Sequence, residues 1–305
     1  MMRIVVLGAA AGGGYPQWNC NTPGSRQAWR QAPGHKRRTQ ASVAVSADGE
    51  RWLLINASPD FRQQVLAAPQ LWPRQGLRHS PIEAVLLSSG EIDHIAGLLS
   101  MRERQRFDLW ASARVHQLLR DNPIFDALDP AYVRRRALAL DAPQDIDGLE
   151  APLGLRVTAF AVPGKVPLFM ESRVEDLAGD AEHTLGLEID DGRERCYYIP
   201  GCAAMTDALR ERVRGAALVF FDGTVWHDDE LIRAGVGSKT GARMGHMSVA
   251  GEHGTLAAFA GLAVARKVFV HLNTTNPLLD DASPERAHAG AQGWEVAEDG
   301  MEIQL

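Results

Sequence analysis

Short apolar runs suited to buried or half-buried strands recur along the chain, at residues 4–7, 42–45, 52–56, 84–87, 156–160, 185–189, 196–199, 218–221 and 268–271. Helical spacing separates some of them, at residues 94–104, 113–121, 206–213 and 255–266, the last rich in Ala and Leu and closed by a basic residue. The early part is strand-dense with hairpin-like spacing and the later part alternates strand and helix. This predicts a layered α/β fold rather than an all-parallel doubly wound sheet. No internal repeat or low-complexity tract interrupts the pattern. The polar, proline-bearing stretch 141–152 is the best place for a break, with a surface loop as the alternative. A single domain over residues 1–305 is the expectation.

Composition narrows the class. Of 305 residues, 45% are apolar and 23% charged, too apolar for a disordered chain. The apolar stretch 4–11 is far shorter than the ~18 to 20 residues of a membrane span, and no basic-then-apolar signal precedes it, so a cytoplasmic location is expected. Three cysteines, Cys20, Cys196 and Cys202, are too few for a disulfide scaffold and fit a reducing compartment, with Cys196 and Cys202 expected as small buried apolar groups. A formal charge of −6 argues against a nucleic-acid partner. The basic runs His35-Lys36-Arg37-Arg38 and Arg134-Arg135-Arg136 could touch a phosphate, but a solvated surface is the simpler expectation.

Candidate chemistry sits at strand ends. The glycine-rich Gly8-Ala9-Ala10-Ala11-Gly12-Gly13-Gly14 follows the first strand, but it lacks the G-x-G-x-x-G spacing. The Tyr15-Pro16-Gln17-Trp18-Asn19-Cys20 that follows does not open a helix. A loop approaching a ligand by its backbone fits better than a dinucleotide turn. Next, Leu86-Leu87-Ser88-Ser89-Gly90-Glu91-Ile92-Asp93-His94 runs from an apolar strand into two carboxylates and an imidazole, a mixed oxygen and nitrogen set suited to zinc, iron or manganese. An acidic cluster at a helix start would look the same. Asp222 and His271 each end a later strand, and His246 lies between them in the glycine-flanked Met244-Gly245-His246-Met247-Ser248. Loops that each deliver His or Asp after a strand point to one converging site.

These residues resemble the metallo-β-lactamase fold family. Its His-x-His-x-Asp-His signature is matched in frame by Ser89-x-Glu91-x-Asp93-His94, with the first two histidines replaced. Asp222 stands at the family's bridging aspartate and His271 at its last histidine. His246 with Ser248 stands where the RNA- and phosphodiester-cleaving branch has a further histidine. The histidine expected between the halves is absent, its counterpart being Val162-Pro163-Gly164-Lys165-Val166-Pro167. Longer strings are similar, in order and almost end to end, to one branch, the B-protein family of pyrroloquinoline quinone biosynthesis. They are Gly12-Gly13-Gly14-Tyr15-Pro16-Gln17-Trp18-Asn19-Cys20, Pro163-Gly164-Lys165-Val166, residues 232–241, Met244-Gly245-His246-Met247-Ser248 and Asn273-Thr274-Thr275-Asn276-Pro277. That family often carries Cys-Asn-Cys-Pro-x-Cys near its start, resembling a structural zinc site. Here the segment reads Cys20-Asn21-Thr22-Pro23-Gly24-Ser25, too few soft ligands for a closed site.

The resemblance implies an αββα sandwich with a metal site at one edge. It also implies hydroxylation of the tyrosine ring in a precursor derived from glutamate and tyrosine, with molecular oxygen as co-substrate. Glu91, Asp93, His94, Asp222 and His271 would bind one divalent metal, Fe(II) in first place and zinc as the alternative. His246 would be an acid/base beside the metal or a conditional ligand, and Ser89 a hydrogen-bonding partner. Lys165, Arg233, Lys239 and Arg243 would neutralise substrate carboxylates, with surface charge as their bland alternative. The expected partner is a small-molecule precursor, and a homodimer is compatible. A carrier of the quinone or its precursor toward the periplasm and a metal-dependent phosphodiester hydrolase are the alternative functions.

Overall fold

The computed structural model describes residues 1–177 and 181–305. Among these, fourteen strands build two sheets of seven. The first holds β1 (Arg3–Gly8), β2 (Ser42–Ser46), β3 (Trp52–Ile55), β4 (Ile82–Leu86), β5 (Phe107–Ala111) and β6 (Val133–Ala137). The second holds β7 (Gln144–Asp147), β8 (Pro152–Ala161), β9 (Leu185–Asp190), β10 (Arg195–Ile199), β11 (Leu218–Asp222), β12 (Arg266–Val270) and β13 (Trp294–Val296). The last strand, β14 (Glu302–Gln304), returns to pair with β1.

Each sheet begins antiparallel and ends parallel. Strands β1, β2 and β3 pair antiparallel and β3 through β6 parallel. In the second sheet β7 through β10 pair antiparallel and β10 through β13 parallel. The plan is therefore used twice although no repeat is visible in the sequence, because a strand order needs only matching hydrophobic faces and not matching residues. The stretch 141–152 is where the chain crosses from one sheet to the other, and part of it is strand β7.

The central strands are apolar on both faces because both are covered. Along β1, Ile4 and Val6 enter the core between the sheets while Val5 and Leu7 enter a second core. Along β3, Leu53 and Ile55 face the first core, and Trp52 and Leu54 the second. That second core is closed from outside by Ile95, Leu98, Val115, Leu118, Leu119 and Phe125, which come from helical segments. On the other sheet, Phe259 packs on Phe221 and Trp294 at ring distances of 4.9 and 5.0 Å. This is the layered α/β fold that the hydrophobic pattern predicts, in the sandwich form that the family resemblance implies.

All nine expected apolar runs fall on strands, and the helix expected at 113–121 is Ala113–Asp121, capped by Ser112. Two helical expectations need correction. Residues 94–104 are a single α-turn, Ile92–Ile95, followed by a 3-10 segment, Ala96–Met101. Residues 255–266 are helical only over Thr255–Ala258, because Gly261 takes a φ of +73° and the chain must extend into β12. Strands β5, β6, β7, β13 and β14 were not anticipated. The Arg134–Arg136 run, expected as solvated surface, lies on β6, where Arg134 and Arg136 hold the buried Asp108 carboxylate at 2.6–3.0 Å. Arg38, in the other basic run, is buried and donates to the Ala297 and Lys36 carbonyls.

The sheets are tied together at one end. Ala10, in the glycine-rich loop, makes parallel bridges to Gln40 and to Leu272, and Ser89 makes an antiparallel bridge to Thr184. Leu185 N–H donates to the Ser88 carbonyl at 2.9 Å. These links bring the loop after β1 against the loop after β12, and the loop after β4 against the segment that enters β9.

Candidate metal centre

The loop after β4 is held by a buried network. Asn56, just past β3 with φ +60°, accepts from Ser88 N–H at 2.9 Å and donates through Nδ2 to Ser88 Oγ at 3.0 Å. The turn that follows is pinned by Ala57 N–H to the His94 carbonyl and Gly97 N–H to the Ala57 carbonyl, both 2.8 Å. A Cβ on Gly97 would stand 2.1 Å from the Ser58 carbonyl oxygen, so only glycine fits. The turn thus presents Asp93 and His94, both buried, toward the other sheet.

From that sheet come Asp222, the last residue of β11, and His271, the first after β12. His271 has φ +62°, a left-handed conformation rare for a residue with a Cβ and a recurrent feature of functional sites. His246 follows the single turn Gly241–Met244, which ends at Gly245 with φ +87°. Its ring stacks on His271 at 5.1 Å, and the His94 ring meets His271 edge-on at 5.7 Å.

The hydrogen bonds decide which nitrogens are free. Thr224 Oγ1 donates to Asp222 Oδ1 at 2.6 Å and lies 2.8 Å from His271 Nδ1. The hydroxyl has one proton, and the carboxylate is its stronger acceptor. His271 Nδ1–H therefore donates to Thr224, which leaves Nε2 facing Asp93 Oδ2 at 3.0 Å, a donor to it when the ring is protonated and a free lone pair when it is not. His94 Nδ1 is taken by Ser89 Oγ at 2.7 Å, while its Nε2 is buried and has no hydrogen-bond partner among the described residues, 3.9 Å from the same Asp93 oxygen.

Two lone pairs and a carboxylate oxygen converging in a buried site require a positive charge between them. In the metal-free protein a proton on His271 meets the need: burial alone would lower its basicity, but Asp93 outweighs it and the net shift is upward. Asp93 is held well below the carboxylate range, burial being overcome by His94 and His271. His94 is pushed down to about 4, chiefly by burial, so its Nε2 is deprotonated at neutral pH. A divalent cation satisfies all three groups at once, and the ligand atoms of Asp93, His94 and His271 lie within 4.8 Å of one another. Ser89 and Thr224 orient the two imidazoles from their other nitrogens, the usual arrangement behind metal-binding histidines.

Asp222, His246 and His271 form a second such group sharing His271. Here the carboxylate is already saturated. Asp222 Oδ2 accepts from His246 Nδ1 at 2.7 Å and Cys202 N–H at 2.8 Å, and Oδ1 from Thr224 N–H and Oγ1. Burial would raise the Asp222 pKa, but His246 leads the contacts that lower it. The residues fit one metal at Asp93, His94 and His271, with the Asp222 and His246 pair beside it.

A cavity of about 320 Å³ opens onto this centre, lined among others by Gly12, Asp93, His94, Lys165, His246 and His271. The glycine-rich loop therefore approaches the site by its backbone. Of the other expected residues, Ser89, Glu91 and Lys239 also line the cavity. Glu91 lies outside both ligand groups and instead accepts from Lys165 Nζ at 3.1 Å and from Leu168 N–H. Arg243 reaches Glu171 at 3.0 Å. Arg233 is exposed and bonded to Asp229 one helical turn away. All three cysteines are free and buried, and burial pushes the Cys202 thiol up to about 12. Sequence reasoning missed Asn56, Thr224 and Glu171. The Asp-x-Thr spacing of Asp222 and Thr224 is a local signal for a side-chain turn, whereas Asn56 and Glu171 meet the site only through tertiary contacts.

Residues 51–272 match the β-lactamase superfamily domain. The chain is 69% identical over its whole length, and that of its relative, to the coenzyme PQQ synthesis protein B of Xanthomonas euvesicatoria pv. vesicatoria. It is 56% identical to the protein of the same name from Gluconacetobacter diazotrophicus, covering 99% of each chain. A zinc-bound PqqB from Methylobacterium extorquens superposes with a TM-score of 0.95 at 50% identity, over 99% of this chain and 100% of that one. A diphosphatase of the PhnP family, 18% identical, shares the fold with a TM-score of 0.71 over 100% of this chain and 97% of its own.

Proposed function

The chain belongs to the coenzyme PQQ synthesis protein B family within the β-lactamase superfamily, and from that premise we propose that it acts in pyrroloquinoline quinone biosynthesis. Its proposed reaction is metal-dependent hydroxylation of the tyrosine ring in a precursor derived from glutamate and tyrosine. One observation carries this reading: two imidazoles and one carboxylate, Asp93, His94 and His271, converge at the wall of an open cavity. That donor set suits Fe(II) in oxygenases. Bound there, Fe(II) would supply activation of molecular oxygen.

The protein's own groups divide the remaining work. Ser89 and Thr224 fix the ring orientations of His94 and His271. Asp222 holds His246 through Nδ1, so its Nε2 is the nitrogen available to take and return the phenolic proton. Lys165 and Lys239, on the cavity lining, meet the precursor's acid groups. Overall, an aryl C–H becomes C–OH with one oxygen atom of O2, and the other leaves as water with two electrons and two protons from a reductant. A small-molecule partner and a cytoplasmic location belong to the same reading. The saturated Asp222 carboxylate counts against a second metal and so against the phosphodiester hydrolase.

The test is anaerobic Fe(II) loading with metal analysis, then oxygen exposure with a glutamyl-tyrosine-type substrate and mass analysis of the product. One iron per chain and a gain of one oxygen atom per step, absent without iron, is the expected result. An unchanged substrate over a well-loaded site refutes the hydroxylase and favours the carrier.

A further inference from the structure

Three cations in the cavity region converge on one carboxylate that belongs to the protein itself. Glu171 Oε2 is 2.8 Å from Lys239 Nζ and 3.0 Å from Arg243, and its Oε1 is 3.2 Å from Lys165 Nζ. Lys165 also pairs with Glu91 at 3.1 Å, so among the described residues three positive groups face two carboxylates. Two of the cations lie on the loop that carries His246. Lys239 and Arg243 precede it, and Gly245 packs so closely on Lys165 that an added Cβ would stand 3.0 Å from Lys165 Cγ. Lys165 and Lys239 thus share the cavity wall with His246, Asp93, His94 and His271, and Arg243 joins them through Glu171.

Glu171 is held differently from its partners. It sits on the 3-10 segment Leu168–Arg173, none of whose residues is buried, anchored by half-buried Phe169 and Met170 and by the Leu168 N–H bond to Glu91. The Glu171 side chain itself is 12% exposed, so its exchange moves this lightly packed segment with it, while Lys239 and Arg243, 34% and 42% exposed, stay open to an incoming group. An incoming acid group can replace its ion pairs one for one. A neutral group cannot.

We propose that Lys165, Lys239 and Arg243 form the subsite for a carboxylate of the substrate, and that Glu171 is its resident occupant, exchanged for the substrate's acid group on binding. The inference rests on the reading of this cavity as the substrate site and makes Glu171 a specificity residue. It keeps the cations neutralised when the cavity is empty and admits ligands that bring their own negative charge.

Equilibrium titration calorimetry on the zinc-loaded full chain tests this with two probes that differ only in charge, N-acetyl-L-tyrosine and N-acetyl-L-tyrosinamide. The wild type should bind the acid more tightly than the amide. Glu171→Gln, which keeps the shape and removes the competing charge, should bind the acid about tenfold more tightly and the amide unchanged. Adding Lys239→Ala and Arg243→Ala should abolish that gain, and Glu171→Asp should behave as the wild type. Equal affinities of Glu171→Gln and wild type for the acid would overturn the proposal, as would an equal gain for both probes. The readout is binding, so acid-selective binding without oxygen insertion in the iron-loaded enzyme would refute the hydroxylase and leave this subsite standing.

Discussion

Replacing Thr224 by Val keeps the shape of the side chain and removes one oxygen on which three site residues depend. That oxygen is 2.6 Å from Asp222 Oδ1, 2.8 Å from His271 Nδ1 and 3.1 Å from His246 Nδ1. Loss of the hydrogen bond to a buried carboxylate costs about 1.5–3 kcal/mol, and a buried His271 N–H left without acceptor about 1–3 kcal/mol. The two overlap, because the freed groups relax together, so a net destabilisation of about 2–4 kcal/mol is expected in the metal-free protein. The imidazole loses the partner that fixes its tautomer, and metal affinity should fall about 10–100-fold. Urea unfolding of the metal-free proteins reads the first number, and competition with a chromophoric chelator under anaerobic conditions reads the second. Thr224→Ser, which keeps the hydroxyl, should recover most of both. A Val variant within about 0.5 kcal/mol of wild type, with unchanged metal affinity, would refute the assignment of Thr224 as the group that orients His271.

Other outcomes follow from the same geometry. His94→Ala and His271→Ala should each abolish stoichiometric metal binding, measured by metal analysis after desalting; full occupancy in either variant would remove that residue from the ligand set. Gly97→Ala forces a Cβ to within 2.1 Å of the Ser58 carbonyl oxygen and should destabilise by about 1–3 kcal/mol. It should also weaken metal binding, because it shifts the turn that carries His94. Glu230, in neither ligand group, is pushed up to about 7 by burial from an ordinary value of 4.5, against the opposing bonds from Thr275 and the Trp226 and His227 backbone. Its raised folded-state pKa means that its stabilising effect is complete below about pH 4.5 and is lost as pH rises through 7, about 3 kcal/mol in all. Glu230→Gln should therefore flatten the decline of stability across that window in pH-dependent denaturation, and an unchanged slope would assign the decline to other groups.

Strands were legible in the sequence because the central ones are apolar on both faces, and continuous runs such as Leu218-Val219-Phe220-Phe221 leave few alternatives. Edge strands were not, nor was the interior β5, whose apolar run is broken by the buried Asp108. Val133–Ala137 carries three arginines, and its pairing is supported by Asp108 on the neighbouring strand. The helix expected at 255–266 failed because apolar spacing continued past a glycine whose left-handed backbone ends the turn.

For the site, residue types at strand ends sufficed to nominate Asp93, His94, Asp222, His246 and His271, since strand ends of α/β folds are where loops converge. Their division into a candidate metal-binding group, Asp93, His94 and His271, and a hydrogen-bonded carboxylate–imidazole pair is visible only in the tertiary structure. It depends on which nitrogen of each ring is already bonded, to Ser89 on one side and to Thr224 and Asp222 on the other. Glu91 illustrates the limit. In sequence it is two residues from Asp93 and equally plausible as a ligand, yet the strand-end turn sends its carboxylate to Lys165. Sequence spacing determines which residues reach the cavity, and long-range hydrogen bonds and charge balance determine what each one does there.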